Sequence, residues 1–219
     1  MGGAAGHMAH LHENIWLTFG EIKTFLNQVA NAEIKPIEKV DGQNIFFRWS
    51  SDGIRTARNM GDITRGGMTE TEYRTKWDGH PAEAAFIKGF ETIKTAMDKM
   101  PAAEAAASFD TGQPNTYRFV NCEIMLPESE NIIVYDGSYI VLHNLKEYSP
   151  IGPSGKMTES ELFTAGDLEF DNIVDIISDV EKTTDAKEWQ VFGPRYVDLK
   201  NIADNVAYEN AVNAIDQMG

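Results

Sequence analysis

Glu38-Lys39-Val40-Asp41-Gly42-Gln43-Asn44-Ile45-Phe46-Phe47 places a lysine at the end of a short extended segment, an Asp-Gly turn signal two residues on, and then an apolar run of strand character. Asp-Gly between extended segments is a strong short-range hairpin signal. Two readings fit. In one, the stretch is a β-hairpin whose turn happens to follow a lysine. In the other, Lys39 sits at the base of that hairpin as a nucleophile, its amine deprotonated with the help of neighbouring cations and desolvation.

The 219 residues suffice for one large domain or two small ones, and 42% apolar residues with four Trp suit a real core. No run of ~18 apolar residues is present, so nothing in the sequence reads as a membrane span. The N-terminus lacks a basic region followed by an apolar one, so no secretory signal is visible. A single cysteine, Cys122, rules out an internal disulfide and suits a reducing compartment. The formal charge of −15 argues against non-specific coating of nucleic acid, which needs Lys and Arg on phosphates. Arg48, Arg55, Arg58 and Arg65 are a local exception. They form either a solvated strand face or an anion site beside Lys39. Residues 1–16 are rich in Gly and Ala and read as a flexible segment, and the spacing of His7, His10 and His12 fits no zinc motif.

Thr18 with Glu21 predicts a capping box opening a helix to Ala30, with Ile22, Phe25, Leu26 and Val29 as its apolar stripe. Strands are expected at 36–39, 43–49 and 53–58, with Ser51-Asp52-Gly53 as the last turn. Arg58 to Gly67 reads as a loop, and Thr69 to Arg74 as a short helix. Pro81 opens a longer helix to about Met100, burying Ala85, Phe86, Phe90, Ile93 and Met97. Residues 101–115 read as a connection, and Tyr117 to Met125 as a strand. Asn131–Tyr135 and Tyr139–Leu145 read as a hairpin about Asp136-Gly137, and Pro150 to Gly155 as a loop. Helices are expected at 158–166 and 168–182, the second with Phe170, Ile173, Val174, Ile177 and Val180 inward. A short strand at Trp189–Phe192 and a helix over 198–217 complete the chain. Strands and helices mix without a regular βαβ period, which predicts an α+β fold with largely antiparallel sheet, flanked by helices.

Lys39-Val40-Asp41-Gly42 resembles motif I of the covalent nucleotidyltransferases: DNA ligases, RNA ligases and mRNA capping enzymes. Glu38-Lys39 with Gly42 and Asn44 looks more like the phage RNA-ligase branch, since DNA ligases usually carry an arginine at the Asn44 position. Thr56-Ala57-Arg58-Asn59 is similar to the family's Ser-Arg-x-Gly motif, with the glycine displaced to Gly61. Glu123, on Phe119-Val120-Asn121-Cys122-Glu123-Ile124, resembles motif III, with Cys122 where the family usually has Gly. Asn131 to Asp136 and Tyr139 to Asn144 resemble motif IIIa, which lays an aromatic ring on adenine. His143 stands there in place of the usual Phe, with Tyr135 as a nearby substitute. Nearly the whole chain also resembles a group of ligase-like nucleotidyltransferases of tailed phages.

The resemblance implies a ligase-type, ATP-grasp-like adenylation domain over residues 17–219, incomplete at its C-terminus. It implies ATP and Mg²⁺ as cofactors, and Lys39 as the catalytic nucleophile forming lysyl-AMP. Glu38 would contact adenine through its backbone, while Asp41 and Gly42 shape the turn. Asn44 would touch phosphate or a metal-bound water. Arg58 would face phosphate, Glu123 a ribose hydroxyl or the metal, and His143 the adenine. RNA or nicked nucleic acid would be the acceptor, in the host cytoplasm or the virion. The family's motif IV, Glu-Gly, is absent, and no Lys-x-Lys strand of motif V occurs, since Lys187 and Lys200 lie in other contexts. The expectation is therefore a fragment, a split-gene half or a degenerate protein, with weak or no activity in this piece alone. A non-catalytic phage structural or interaction protein that keeps the fold is the alternative. A protein-AMPylating or small-molecule ligase sharing the first step is a third.

Overall fold

A computed structural model of the chain describes residues 16–34, 40–129, 135–152, 155–164, 167–183, 189–194 and 206–218. They fall into two compact units. One spans Val40–Pro194, and the other takes its described residues from Met8–Lys39 and Arg195–Gly219.

The larger unit is built on a six-stranded sheet. β1 (Gln43–Arg48) pairs antiparallel with β2 (Arg55–Ala57) on one side and β3 (Tyr117–Met125) on the other. β3 pairs antiparallel with β4 (Ser138–Ile151), which is long enough to serve two more strands along its other edge. Its C-terminal part pairs antiparallel with β5 (Lys156–Thr164), while Ser138 to Val141 pair in parallel with β6 (Trp189–Phe192). The fold is thus α+β with an open, largely antiparallel sheet flanked by helices, as the mixed periodicity predicts.

One sheet face carries the main core. Ile45 and Phe47 of β1, Val120, Cys122 and Ile124 of β3, and Ile140, Leu142 and Leu145 of β4 are buried there. Against them pack α4 (Glu83–Lys99), through Phe86, Phe90, Ile93 and Met97, and α6 (Leu168–Thr183), through Phe170, Ile173 and Ile177. They follow one another at intervals of three or four residues, the spacing that puts apolar side chains on one helical face. Each such side chain contributes about 1.5–3 kcal/mol by leaving water. Gly89 lets α4 approach closely, because a Cβ there would fall 2.5 Å from Ile124 Cδ1. The α3 helix (Glu70–Trp77) has a Thr69–Glu72 capping box and docks by stacking Trp77 on Phe86, ring centroids 3.6 Å apart.

The opposite sheet face is divided. Phe46, Ala57, Ile63, Phe119 and Tyr148 form one apolar cluster, and Val40, Met125 and Val141 another. On β3, Asn121 and Glu123 alternate between Phe119 and Met125, so a polar band separates the two clusters.

Four expected segments come out differently. Arg58–Gly67 is not a plain loop. Asn59 caps α2 (Met60–Thr64) by accepting from the Asp62 N–H, a short polar cap that outweighs Gly61 inside the helix. Residues 101–115 are not only a connection, because the Ala run forms α5 (Ala102–Phe109) and buries Ala105 and Phe109. The expected helix over 158–166 is strand β5, whose backbone is taken up by the ladder along β4. The expected loop at 150–155 is shorter, since Pro150 and Ile151 pair with Met157 and Lys156. The strand expected at 36–39 and the first arm of the hairpin, Asn131 to Val134, lie outside the described residues.

In the smaller unit, Thr18 and Glu21 form the expected capping box of α1 (Phe19–Ala30). Lys23 pairs with Asp216 of α7 (Val206–Met218) at 2.7 Å, and the Tyr208 hydroxyl bonds Asn27 Oδ1. The apolar stripe of α1 is only partly covered: Phe25 is 44% exposed, and Ala30 is the helix's buried residue. Helix α7 is described from Val206 onward, so the earlier part of the expected 198–217 helix lies outside the described residues.

Candidate functional site

Gly42 sets the entry to β1. A Cβ on it would stand 2.8 Å from the Ile124 carbonyl oxygen, so the chain can lie this close to β3 only with glycine. The neighbouring Asp41 N–H donates to the Tyr135 hydroxyl at 2.8 Å, tying the turn to the start of the β4 region. Asn44 then falls directly opposite Glu123 in the β1–β3 register.

Glu123 pairs with Val141 on its other side. The β3–β4 register shifts between Asn121, which faces Asn144, and Cys122, which faces Leu142, so His143 is an extra residue. Such a bulge interrupts the strict alternation of side chains. His143 and Asn144, consecutive in sequence, both serve the polar band. His143 Nε2 lies 3.6 Å from Glu123 Oε2, both side chains being largely covered at 13% and 19% exposure. Asn144 is the register partner of Asn121 and donates through Nδ2 to Glu161. Asn44 Nδ2 donates to Asn121 Oδ1 at 2.7 Å and to the Cys122 carbonyl at 3.1 Å.

Arg58 arrives from the end of β2. Burial lowers its guanidinium pKa, and the nearby Glu123 carboxylate opposes that shift. Its guanidinium is not what meets Asp62. Instead, the Arg58 backbone N–H donates to Asp62 Oδ2 at 3.1 Å. Asp62 is itself buried and accepts from Lys76 Nζ at 2.8 Å and Arg65 Nη2 at 2.9 Å. Burial raises its carboxyl pKa, but the hydrogen bonds from Lys76, Arg58 and Arg65 outweigh that and hold it below the usual range.

Four buried polar atoms in this region have no hydrogen-bond partner among the described residues: Asn44 Oδ1, Arg58 Nη1, Glu123 Oε2 and Asn144 Oδ1. Orphaned buried groups are uncommon and each costs about 1–3 kcal/mol. Three acceptors and one cationic donor together match a ligand that offers hydroxyl or amine donors and an anionic group.

Of the expected site residues, Asn44, Glu123 and His143 share one sheet face, Asp41 and Gly42 shape its edge, and the buried Arg58 guanidinium feels the charge of Glu123. Glu38 and Lys39 lie outside the described residues. The four arginines divide. Arg55 pairs with Asp52, Arg65 with Asp62, Arg48 donates from Nε to the Gly66 carbonyl at 3.2 Å, and the buried Arg58 guanidinium feels the charge of Glu123 without an ion pair to it. Sequence reasoning misses Asn121, Asn144 and Asp62. Asn121 shares the face of Glu123 by simple alternation and was open to discovery, whereas Asn144 depends on the bulge. Among the described residues no group of three or more His, Cys, Asp or Glu is placed to hold a metal ion. No family model, curated protein or solved structure matches the chain.

Proposed function

We propose that the chain is an ATP-dependent, RNA-ligase-like nucleotidyltransferase that forms a lysyl-AMP intermediate on Lys39. One observation carries the reading. Glu123, His143 and Asn44, picked from distant parts of the sequence by their resemblance to one family's motifs, share one sheet face, and the buried Arg58 guanidinium feels the charge of Glu123. The unpartnered buried atoms of Asn44, Arg58, Glu123 and Asn144 suit a ligand with both donors and negative charge.

In this reaction the neutral Lys39 amine attacks the α-phosphorus of ATP. The N–P bond forms, the bond from α-phosphorus to the bridging oxygen breaks, pyrophosphate leaves and the amine loses its proton. Arg58 lowers the energy of charge building on the transferring phosphoryl group. Asn44, held by Asn121, presents its Oδ1 to a ribose or amine donor. His143 covers the adenine, and its contact with Glu123 orients both. Glu123, a single carboxylate with a free oxygen, fits Mg²⁺, which commonly takes one or two carboxylates plus substrate phosphates, and which would there neutralise phosphate charge. RNA or nicked nucleic acid then receives AMP.

The second reading is a non-catalytic phage structural or interaction protein that keeps the fold. The small number of cations at the site favours it, since three of the four arginines are engaged elsewhere. Incubation with ATP and Mg²⁺ followed by peptide mass analysis separates the two. An AMP adduct on Lys39 that Lys39→Ala abolishes supports the enzyme. No adduct at millimolar ATP, even from a longer chain that carries the family's motifs IV and V, overturns it.

A further inference from the structure

A cavity of about 340 Å³ opens beside the turn that follows β1 and the loop that precedes β3, lined by Arg48, Trp49, Phe109, Asp110, Gln113 and Tyr117 among others. None of these belongs to the polar band described above. The volume lies at the lower end of small-molecule sites, roughly 300–1,000 Å³. Both walls are internally braced. In the turn, the Gly53 N–H donates to the Ser50 carbonyl at 2.9 Å, and Arg55 pairs with Asp52. In the loop, Thr111 Oγ1 reaches the carbonyls of Gln113 and Thr116 at 3.2 and 3.1 Å, and the Gly112 N–H donates to Asp110 Oδ1 at 2.9 Å.

The charged lining is one guanidinium and one carboxylate. Arg48 is half-buried, with its guanidinium 5.1 Å from the Tyr117 ring centroid. Its hydrogen bond among the described residues leaves from Nε, so the Nη groups are free of such bonds to them. Asp110 is exposed and engages Oδ1 alone in the same sense. A phosphate dianion gains little where Arg48 and Asp110 cancel. A flat, neutral ring with an acceptor edge and a donor edge gains from both, and Trp49 and Tyr117 supply aromatic surface for its face.

We propose that this cavity binds a guanine base: Arg48 donates to the O6 and N7 edge, Asp110 accepts from N1–H and the N2 amine, and Trp49 or Tyr117 stacks on the ring. Adenine keeps the N7 acceptor but reverses the rest of the pattern. Its amine meets the Arg48 donors and its N1 lone pair meets the carboxylate. A free guanine nucleoside and an unpaired guanine in a single strand present the same edges.

Calorimetric titration of the full chain with guanosine, inosine and adenosine tests the assignment. Guanosine binds at least ~10-fold tighter than adenosine, because the wrong base leaves site polar groups unpaired, and inosine, lacking the N2 amine, falls between them. Asp110→Asn, at an exposed position, abolishes the preference. Arg48→Lys weakens guanosine by about 10-fold or more, because lysine cannot bond two acceptors with one planar group. Should Arg48→Lys unfold the chain, as circular dichroism would reveal, Asp110→Asn carries the test by itself. A short single strand ending in guanosine that binds more tightly than guanosine identifies a strand as the source, and equal affinity identifies the free nucleoside. Equal binding of guanosine and adenosine, or a preference that survives Asp110→Asn, overturns the proposal.

Discussion

His143 Nε2 and Glu123 Oε2 lie 3.6 Å apart although the two residues are not register partners, Glu123 facing Val141 instead. The extra residue in β4 produces the contact. Glu123 therefore stands beside His143 and opposite Asn44, and its charge is what the buried Arg58 guanidinium loses if it is replaced. Glu123→Gln leaves the Arg58 guanidinium buried without its opposing carboxylate. Chemical denaturation should register a loss of about 1–3 kcal/mol. If Lys39 is adenylylated, the rate of AMP incorporation should fall about 10- to 100-fold, the size of one charged hydrogen bond. Unchanged stability and labelling together would remove Glu123 from the site.

Asp62 makes stability pH-dependent. Its folded pKa lies below the ordinary carboxylate value, because the bonds from Lys76, Arg58 and Arg65 exceed the cost of burial. The unfolded chain therefore takes up the proton first as pH falls. The contribution is fully present above about pH 4, the unfolded value, and is lost as pH drops through the folded one. Urea unfolding between pH 7 and pH 3 should show this acid limb, and Asp62→Asn should flatten it while costing about 1–3 kcal/mol at neutral pH. An acid limb of the same slope in Asp62→Asn would assign it to other carboxylates.

Gly42→Ala tests close approach, not backbone conformation. The new methyl meets the Ile124 carbonyl oxygen at 2.8 Å, a backbone atom that cannot swing aside. The β1–β3 ladder must open near Gln43 and Ile124, at a cost of about 1–3 kcal/mol. Amide exchange at Asn44 and Cys122 should accelerate more than exchange in α4. Native protection in the variant would show that β1 can shift without cost.

Asn121 is 5% exposed and accepts from Asn44 Nδ2. Asn121→Ala removes that acceptor and should cost about 1–3 kcal/mol. A double-mutant cycle with Asn44→Ala should return a coupling of about 0.5–3 kcal/mol, as contacting residues do. If the proposed reaction with ATP holds, Asn121→Ala should raise KM more than it lowers kcat, since it acts by positioning Asn44. Additive effects in the cycle would mean that the two amides do not depend on each other.

Local signals carried much of this fold. The Thr18–Glu21 box, the buried stripe of α4 and the span of β3 all follow from nearest-neighbour chemistry, and all three form as that chemistry predicts. Where local signals were weak or mixed, pairing decided. The segment around Thr158 to Thr164 has no strong preference of its own and becomes strand β5 because β4 offers a free edge. The Ala run at 102–107 has high helix propensity but no stripe long enough to stand out, and it becomes α5 with Phe109 as its anchor.

At the candidate site, the sequence by itself determined which side chains were available: Asn44 just past an Asp-Gly turn, Arg58 just past a short strand, and Glu123 alternating with the core residues of β3. Their resemblance to one family's motifs was also legible there. Tertiary structure alone decided that His143 and Asn144 serve the same polar band, that Asp62 holds the backbone and not the guanidinium of Arg58, and that Asn121 braces Asn44. The reason is physical. Alternation and capping are set by neighbours in the chain, while a bulge in β4 and a shared buried carboxylate depend on which strands and helices meet, at separations no local pattern encodes.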